Sequence, residues 1–234
     1  MSTVSGAFIK AMGKPNPRLP AELRFPSLMD EVAWDAFYPK VGAGWFCERF
    51  YYLFASGVAT LSKCLDEWSF IVPSNPKRVI LGRNAHGAIV TVEPRSTRRG
   101  AETYIHVLDP IGFRWWTNPN AVFANFFGYW MASKALPRGF MDETAYSEWR
   151  AQSGRYLKED EILAIKVPLA LGGSLTLDNF QVENIFEYYA STAPIFRRAL
   201  EKEGTALPAP TGKGAPSPKS RTKGKARSNK VRNR

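Results

Sequence analysis

The sequence predicts an α+β fold in which an antiparallel β-meander is packed by helices and followed by a disordered, basic C-terminal tail. Three observations lead to this prediction: short apolar runs joined by turn residues, segments with helical spacing of apolar side chains, and a terminal stretch with almost no large apolar residue. The chain has 234 residues and is 44% hydrophobic and 13% aromatic. A chain of this length and composition can bury a sizeable core without a metal or a disulfide.

Two β-hairpins are predicted in the middle of the chain. Residues 79–81 lead into residues 88–92 through the Asn- and Gly-containing turn 84–87, and residues 104–108 lead into residues 113–116 through the Asp-Pro-Ile-Gly turn 109–112. These four runs pair most simply as an antiparallel meander. Before them, residues 45–71 are dense in aromatic side chains, and the first part of this segment is compatible with either a buried strand or a helix.

Apolar spacing and capping residues predict five helices. Their predicted starts are Ser27, Thr60, Asn118, Asp142 and Asp178. Leu136-Pro137 ends the third helix and Gly154 ends the fourth, while Gln181 takes the capping-box position of the fifth. Between the last two helices, residues 162–168 read as an extended segment that Pro168 places at a sheet edge.

The chain divides into four predicted regions. Residues 1–24 are rich in Pro, Gly, Lys and Ser and form a flexible leader, residues 25–75 form an aromatic-rich N-terminal region, residues 76–204 form an α+β domain, and residues 205–234 form the tail. The tail holds nine Lys or Arg and no acid, although the whole chain has a net charge of +11. The other residues hold 23 basic and 21 acidic side chains, so the net charge of the body is only +2.

Residue patterns that carry common enzyme chemistry are missing from the sequence. It contains no Gly-rich phosphate loop with a following lysine and no Gly-x-Ser-x-Gly elbow. Cys47 and Cys64 form no CxxC pair, and His86 and His106 are twenty residues apart, which predicts reduced thiols, structural histidines and no zinc site. We therefore expect a protein that is not an enzyme and has no cofactor, with an enzyme using the acidic run 159–161 and a divalent metal as the alternative.

No apolar run approaches the length that spans a bilayer, and the N-terminus has no secretory pattern, so we expect no membrane partner and a cytoplasmic location.

A family resemblance emerges from two stretches of the chain. The turn Leu-Gly-Arg-Asn-Ala-His-Gly at residues 81–87 resembles a hairpin in immunity proteins of bacterial toxin systems. The acidic step and apolar strand of residues 157–168, followed by "LALGG" at 169–173 and "LDNF" at 177–180, are similar to the C-terminal domain of immunity proteins for type VI secretion DNase effectors. In that family a GAD-like region commonly precedes this domain, and residues 25–75 occupy its place.

The resemblance implies a cytoplasmic inhibitor that binds and neutralises a cognate toxin. That toxin would be a nuclease effector used in bacterial competition. A basic substrate groove on such a toxin would accept acidic side chains, and exposed aromatics would anchor the complex. The partner-binding candidates are therefore Glu159, Asp160, Glu161, Asp178, Glu183, Glu187, Trp115 and Trp116. For the acids the alternative is a solvated surface, and for the adjacent tryptophans, which face opposite sides of a strand, the alternative is core packing of both.

The basic tail supports a second interpretation, a nucleic-acid-binding protein whose tail contacts phosphates without sequence preference. The tail departs from the pattern of the immunity family, and it has no aromatic residue for stacking on bases. The alternative is a solubilising terminus. The nucleic-acid candidates are Lys219, Arg221, Lys223, Lys225, Arg227, Lys230, Arg232 and Arg234.

Overall fold

A computed structural model describes residues 3–20, 31–97, 100–117, 126–131 and 142–202. Six of its strands form one sheet in chain order, each pairing antiparallel with the next. They are β1 (Gly44–Phe46), β2 (Tyr51–Leu53), β3 (Val79–Asn84), β4 (Ile89–Thr97), β5 (Gly100–Asp109) and β6 (Arg114–Thr117). The predicted meander is therefore confirmed, and the segment that was compatible with strand or helix supplies its first two strands.

In both predicted turns, a side-chain oxygen accepts hydrogen bonds from backbone amides of the turn. Asn84 Oδ1 accepts a hydrogen bond from the Ala88 amide at 2.8 Å, and Gly87 takes a positive φ of 86°. In the next turn, Asp109 Oδ1 accepts from the amides of Ile111 and Gly112 at 3.1 and 3.0 Å. These are the local roles for which turns favour Asn, Asp and Gly, so the turn prediction is confirmed in its mechanism as well as its position.

The described residues contain five α-helices beside the strands. They are α1 (Val4–Met12), α2 (Glu31–Val41), α3 (Ser62–Glu67), α4 (Thr144–Ser153) and α5 (Ile185–Lys202). The predicted helix at Thr60 is present as a 3₁₀ turn (Val58–Leu61) that continues into α3, and α4 ends at Gly154 with a φ of 66° as predicted. The predicted helix at Asn118 lies largely outside the described residues, of which Phe126–Trp130 form a π-helical turn. The predicted start at Ser27 also lies outside them.

The prediction that the last helix begins at Asp178 is wrong. Leu177–Asn179 form a 3₁₀ turn, Phe180–Asn184 form strand β8, and α5 begins at Ile185. Asn184 is the residue that caps this helix, because its Oδ1 accepts from the Phe186 amide at 2.9 Å and lies 3.4 Å from the Glu187 amide. The apolar side chains have helical spacing, but pairing with a neighbouring strand decides the conformation of this segment. Such tertiary contacts cannot be read from the local sequence.

The neighbouring strand is β7 (Glu161–Ile165), which pairs antiparallel with β8 in a separate two-stranded sheet. The predicted extended segment is therefore confirmed. The Leu163 amide donates to the Ala85 carbonyl at 2.8 Å, and the Tyr189 hydroxyl donates to the Gly87 carbonyl at 2.9 Å. The β7–β8 hairpin is thereby attached to the turn between β3 and β4.

The prediction of a flexible leader is wrong for residues 3–20. Thr3 caps α1 by accepting from the Gly6 amide, and Phe8 and Met12, one helical turn apart, are both buried. The Phe8 ring lies 5.5 to 5.7 Å from the rings of Phe37, Phe46 and Phe127. A fully buried aromatic ring contributes a large apolar area to the core. This contribution holds α1 in place although Gly and Pro residues surround it in the sequence.

The predicted regions 25–75 and 76–204 share one core. Strand β2 pairs with β3 across the proposed boundary. Trp68, on the early side, donates through its indole N–H to the Tyr189 carbonyl at 3.1 Å, and its ring lies 5.1 Å from the ring of Phe196. Residues on both sides of the boundary at 75/76 therefore belong to one sheet and one hydrophobic cluster.

Replacing Phe8 with alanine tests whether α1 is part of the folded body. Loss of a fully buried aromatic ring is expected to lower the free energy of unfolding by about 3–5 kcal/mol, measured by urea denaturation. Lys10→Ala, at an exposed position of the same helix, is the matched control and should leave the midpoint almost unchanged. Equal stability of the two variants would show that α1 contributes nothing to the core.

Candidate functional site

The six acidic residues proposed from sequence lie along the β7–β8 hairpin and its flanks. Glu159 and Asp160 precede β7, and Glu161 is its first residue. Asp178 lies near the end of the connecting loop, Glu183 lies on β8, and Glu187 lies in the first turn of α5. The structure therefore brings together on one hairpin a set that is spread over 29 residues of sequence.

Glu161 is engaged within the protein itself. Its carboxylate accepts from Arg155 Nη1 at 2.7 Å and from the Lys158 amide at 3.0 Å. Burial raises the pKa of Glu161, but the hydrogen bond from Arg155, the Lys158 amide and the nearby charges outweigh it, so the net pKa is lowered. This carboxylate is a structural ion pair at the start of β7, whereas the side chains of Glu159 and Asp160 are exposed.

A buried arginine holds the acidic run in place. The Arg83 side chain is fully buried, and its Nη2 donates to the carbonyls of Lys158, Glu159 and Glu161 at 3.2, 2.7 and 2.9 Å. Burial lowers the pKa of Arg83 to about 10, so the group stays charged at neutral pH. Because these carbonyls point inward to the guanidinium, the backbone of the run is fixed while two of its carboxylates face solvent.

Arg83 is a residue that sequence reasoning missed. It lies in the stretch read as a hairpin turn, where an arginine is expected to face solvent. In the structure it belongs to β3, opposite Tyr52, and lines a cleft of about 170 Å³ together with Leu61 and Phe186. No local signal in the sequence distinguishes it from a surface arginine.

The loop between β7 and β8 exposes apolar side chains. Of the seven large apolar side chains that are strongly exposed in the described residues, four lie in this loop. They are Val167 (44% exposed), Leu169 (37%), Leu171 (60%) and Leu175 (38%). Single exposed apolar residues are ordinary, but a cluster of this kind on one short loop is typical of a surface that binds another molecule.

One asparagine holds this loop in a defined conformation. Asn179 Oδ1 accepts from the Val167 amide at 3.0 Å, while its Nδ2 donates to the carbonyls of Val167 and Ser174 at 2.9 and 2.8 Å. Gly173 packs so closely that an added Cβ would lie 1.8 Å from the Val167 carbonyl oxygen. The exposed aliphatic side chains therefore project from a backbone that is tied down at both ends.

Asp178, the acidic residue near the end of the loop, is also held by hydrogen bonds. The Thr176 hydroxyl donates to the Asp178 carboxylate, and this hydrogen bond lowers the pKa of Asp178. Lys166 Nζ donates to the Asp178 carbonyl at 2.6 Å. The side chain of Asp178 nonetheless stays exposed, so it presents a charge beside the apolar cluster.

Replacing Asn179 with alanine is expected to release the loop. Three hydrogen bonds are lost, two of them to backbone groups of Val167, and the expected loss of stability is about 2–3 kcal/mol. Limited proteolysis should cut the variant within residues 167–176 at least tenfold faster than the parent protein. Gln181→Ala, at an exposed position of the same hairpin, is the control, and equal cleavage of both variants would contradict the role given to Asn179.

The two tryptophans lie in the other sheet, on β6. Trp115 is opposite Leu108 and Trp116 is opposite Val107, so the prediction that they face opposite sides is confirmed. The ring of Trp115 stacks on His106 at 5.0 Å, and the Arg78 guanidinium lies 4.8 Å from its centre. Trp115 is half-buried and already packed inside the protein, and Trp116 is also half-buried.

The residues under Trp115 form a buried charged cluster. Arg78 Nε and Asn75 Nδ2 donate to the two oxygens of Glu93 at 2.6 and 2.8 Å, and His106 Nε2 lies 3.5 Å from the same carboxylate. Burial raises the pKa of Glu93, but His106, Arg78 and Asn75 lower it more, to about 2. On its other side His106 Nδ1 is 2.9 Å from the Thr117 hydroxyl.

The lowered pKa of Glu93 predicts acid-sensitive stability. Since the folded pKa lies below the unfolded value, the stabilisation is complete above about pH 5 and is lost as the pH falls towards 2, by about 3 kcal/mol for this group. In Glu93→Gln this part of the pH dependence should disappear and stability at pH 7 should fall. Chemical denaturation between pH 7 and pH 2.5 measures both effects.

Glu148→Gln removes an exposed carboxylate of α4 and is the control for this measurement. If Glu93→Gln and Glu148→Gln follow the same pH profile as the parent protein, the buried cluster does not control acid stability.

His86 and Cys64, two of the residues expected to be chemically inert, are buried, and Cys47 is half-buried. His86 contacts the carbonyls of Leu163 and Asp142 at 3.1 and 3.2 Å, and burial lowers its pKa. Cys47 and Cys64 are not joined in a disulfide, and burial raises the pKa of Cys64 to about 12. Within the described ranges, no cluster of three or more His, Cys, Asp and Glu side chains could hold a metal ion, and no described helix is long and apolar enough to cross a membrane.

All eight nucleic-acid candidates, from Lys219 to Arg234, lie outside the described residues.

Comparison with known proteins finds similarity in structure but not in sequence family. No family model and no curated protein matches this chain. The crystal structure of Atu4351 from Agrobacterium tumefaciens is similar, with 14% sequence identity, a TM-score of 0.52, and coverage of 80% of this chain and 87% of that chain. At this identity the likeness shows that the two proteins share a fold.

Proposed function

We propose that this protein is an immunity-type inhibitor, which binds a co-produced toxin in the cytoplasm and neutralises it by protein–protein contact. The observation that carries the proposal is the β7–β8 hairpin. At one end its loop exposes four aliphatic side chains next to Asp178, and at the other end Glu159 and Asp160 are exposed. A surface that combines apolar anchors with charged groups is the usual composition of a binding surface.

One of the two stretches that carry the family resemblance, residues 157–180, coincides with this hairpin. The "LALGG" run supplies Leu169 and Leu171, which are exposed, and Gly173, which packs against the Val167 carbonyl. The "LDNF" run supplies Asp178 and the clamping residue Asn179. The sequence features that resemble the immunity family therefore build the surface that is proposed to bind.

Charge gives the reason for choosing a nuclease as the toxin. A nuclease binds a polyanion and therefore has a basic substrate surface. Glu159, Asp160 and Asp178 are exposed on the hairpin, so they can pair with such a surface and steer the two proteins together. Because inhibition of this kind needs a rigid platform and no chemistry of its own, it is compatible with a protein that is not an enzyme.

The basic tail supports a second candidate function, binding of nucleic acid without sequence preference. Nine Lys or Arg and no acid occur in residues 205–234, and such a segment binds phosphates in a salt-dependent way. The two functions can be separated by a 1–205 truncation. Loss of DNA binding with unchanged toxin binding would assign one function to the tail and the other to the body.

The first experiment measures toxin binding and protection of DNA. The toxin candidate encoded beside this protein is mixed with the full-length chain, and complex formation and DNA cleavage are followed together. Stoichiometric binding that abolishes cleavage is the expected result. Absence of binding by both the full-length chain and the 1–205 truncation would overturn the inhibitor proposal and favour the tail-driven nucleic-acid binder.

Leu171→Asp tests the hairpin as the contact surface. Leu171 is 60% exposed, so a charged residue should leave stability nearly unchanged but weaken toxin binding at least tenfold, as for loss of an apolar anchor. Ile195→Asp is the matched control because Ile195 is also exposed, at 51%, but lies on α5 outside the loop. Equal affinity of the two variants in calorimetric titration would exclude the loop from the interface.

A further inference from the structure

Among the described strands, β8 pairs with β7 and with no other. In the β7–β8 ladder, the Lys166 amide donates to the Asn179 carbonyl and the Ile185 amide donates to the Asp160 carbonyl, both at 2.8 Å. Hydrogen-bonded pairs alternate along an antiparallel ladder, so the pair Leu163–Val182 is not hydrogen-bonded. The N–H and C=O of Val182 therefore point away from β7.

The corresponding groups on the two sides of the hairpin have different surroundings. On the β7 side, the outward Leu163 amide is satisfied by the Ala85 carbonyl at 2.8 Å. On the β8 side, the backbone N–H and C=O of Val182 have no hydrogen-bond partner within the described part of the chain. Within the described residues, the two-stranded sheet therefore has one edge that is hydrogen-bonded to the meander and one edge that is open at Val182. An open edge is a template for pairing with another strand.

The charge along this edge selects the kind of partner. Residues 177–187 contain three acids, Asp178, Glu183 and Glu187, and no Lys or Arg. Lysine on an edge strand is a common means of preventing unwanted pairing, and β8 has none. The acids favour a segment of opposite charge, and the exposed aliphatic loop at the end of the hairpin can contact its apolar side chains.

We propose that the toxin adds an extended, basic segment to the open edge of β8 by β-strand pairing. This inference rests on the proposed function and specifies its binding mode. Main-chain hydrogen bonds to Val182 supply affinity, while Glu183 and the acids at the two ends of the strand select a cationic segment. Strand addition would place the bound segment beside the exposed loop, so both features act on the same partner.

Val182→Pro is the variant that tests this mode. Proline removes the outward N–H of Val182 while the bonds between β7 and β8 stay in place, and edge strands accept proline where the N–H faces solvent. Val182→Thr keeps the N–H and the β-branched shape and is the matched control. The expected result is a loss of toxin affinity of at least tenfold in Val182→Pro, with affinity within threefold of the parent protein in Val182→Thr.

Amide hydrogen exchange gives a second measurement that needs no variant. In the complex, exchange of the Val182 amide should slow at least tenfold relative to the free protein. The amide of Gln181 is the internal control, because Gln181 faces Ala164 in a hydrogen-bonded pair of the ladder and is already protected. This measurement decides the question if Val182→Pro does not fold.

The outcomes separate the binding mode from the function. If the parent protein inhibits the toxin but Val182→Pro binds equally well, or Val182 exchanges freely in the complex, strand addition is wrong and the inhibitor proposal stands. If the parent protein does not bind the toxin, the inhibitor proposal fails first. Protection of Val182 in the free protein that is lost in the 1–205 truncation, or that rises with protein concentration, would assign the edge to the tail or to a second copy and overturn the inference.

Discussion

The buried guanidinium of Arg83 is the charged group in the contact between the two sheets, and it acts together with the hydrogen bonds of Leu163 and Tyr189 to the turn between β3 and β4. It projects from β3 of the meander and donates to three backbone carbonyls that precede or open β7. A buried cation requires strong acceptors around it, and here backbone carbonyls supply them. Arg83 therefore fixes the backbone from which Glu159 and Asp160 project, while Leu163 and Tyr189 hold the rest of the hairpin against the meander.

The same constraint divides the acidic residues by role. Carboxylates that are held by local partners, such as Glu161 with Arg155 and Glu93 with Arg78, stabilise the fold. Glu159, in contrast, is exposed on a backbone that Arg83 holds. A group of acids in a sequence therefore contains two kinds of residue, and only the three-dimensional partners tell them apart.

The parts of the fold that were predictable from sequence are those decided by local chemistry. Asn84 and Asp109 mark their turns because each bonds to the backbone a few residues ahead, and Gly154 ends α4 because it accepts a positive φ. The errors occur where distant partners decide. Val182 has helical spacing with Ile185 but lies in a strand because β7 is beside it, and the short helix around Phe8 is held by rings from three other parts of the chain. For the candidate site, the sequence predicted Asp178 and Glu183 in the last helix, whereas they lie in a 3₁₀ turn and on β8. The clamp made by Asn179 and the support from Arg83 needed the structure.

The packing of Trp68 against α5 also means that the hydrophobic core is incomplete until α5 is present. Its indole bonds to a carbonyl 121 residues further along the chain, and its ring contacts Phe196. Contacts of such sequence separation are formed late because a long loop must close first. During synthesis, the meander can form while its Trp68 side is still uncovered, and the core closes only after α5 has left the ribosome.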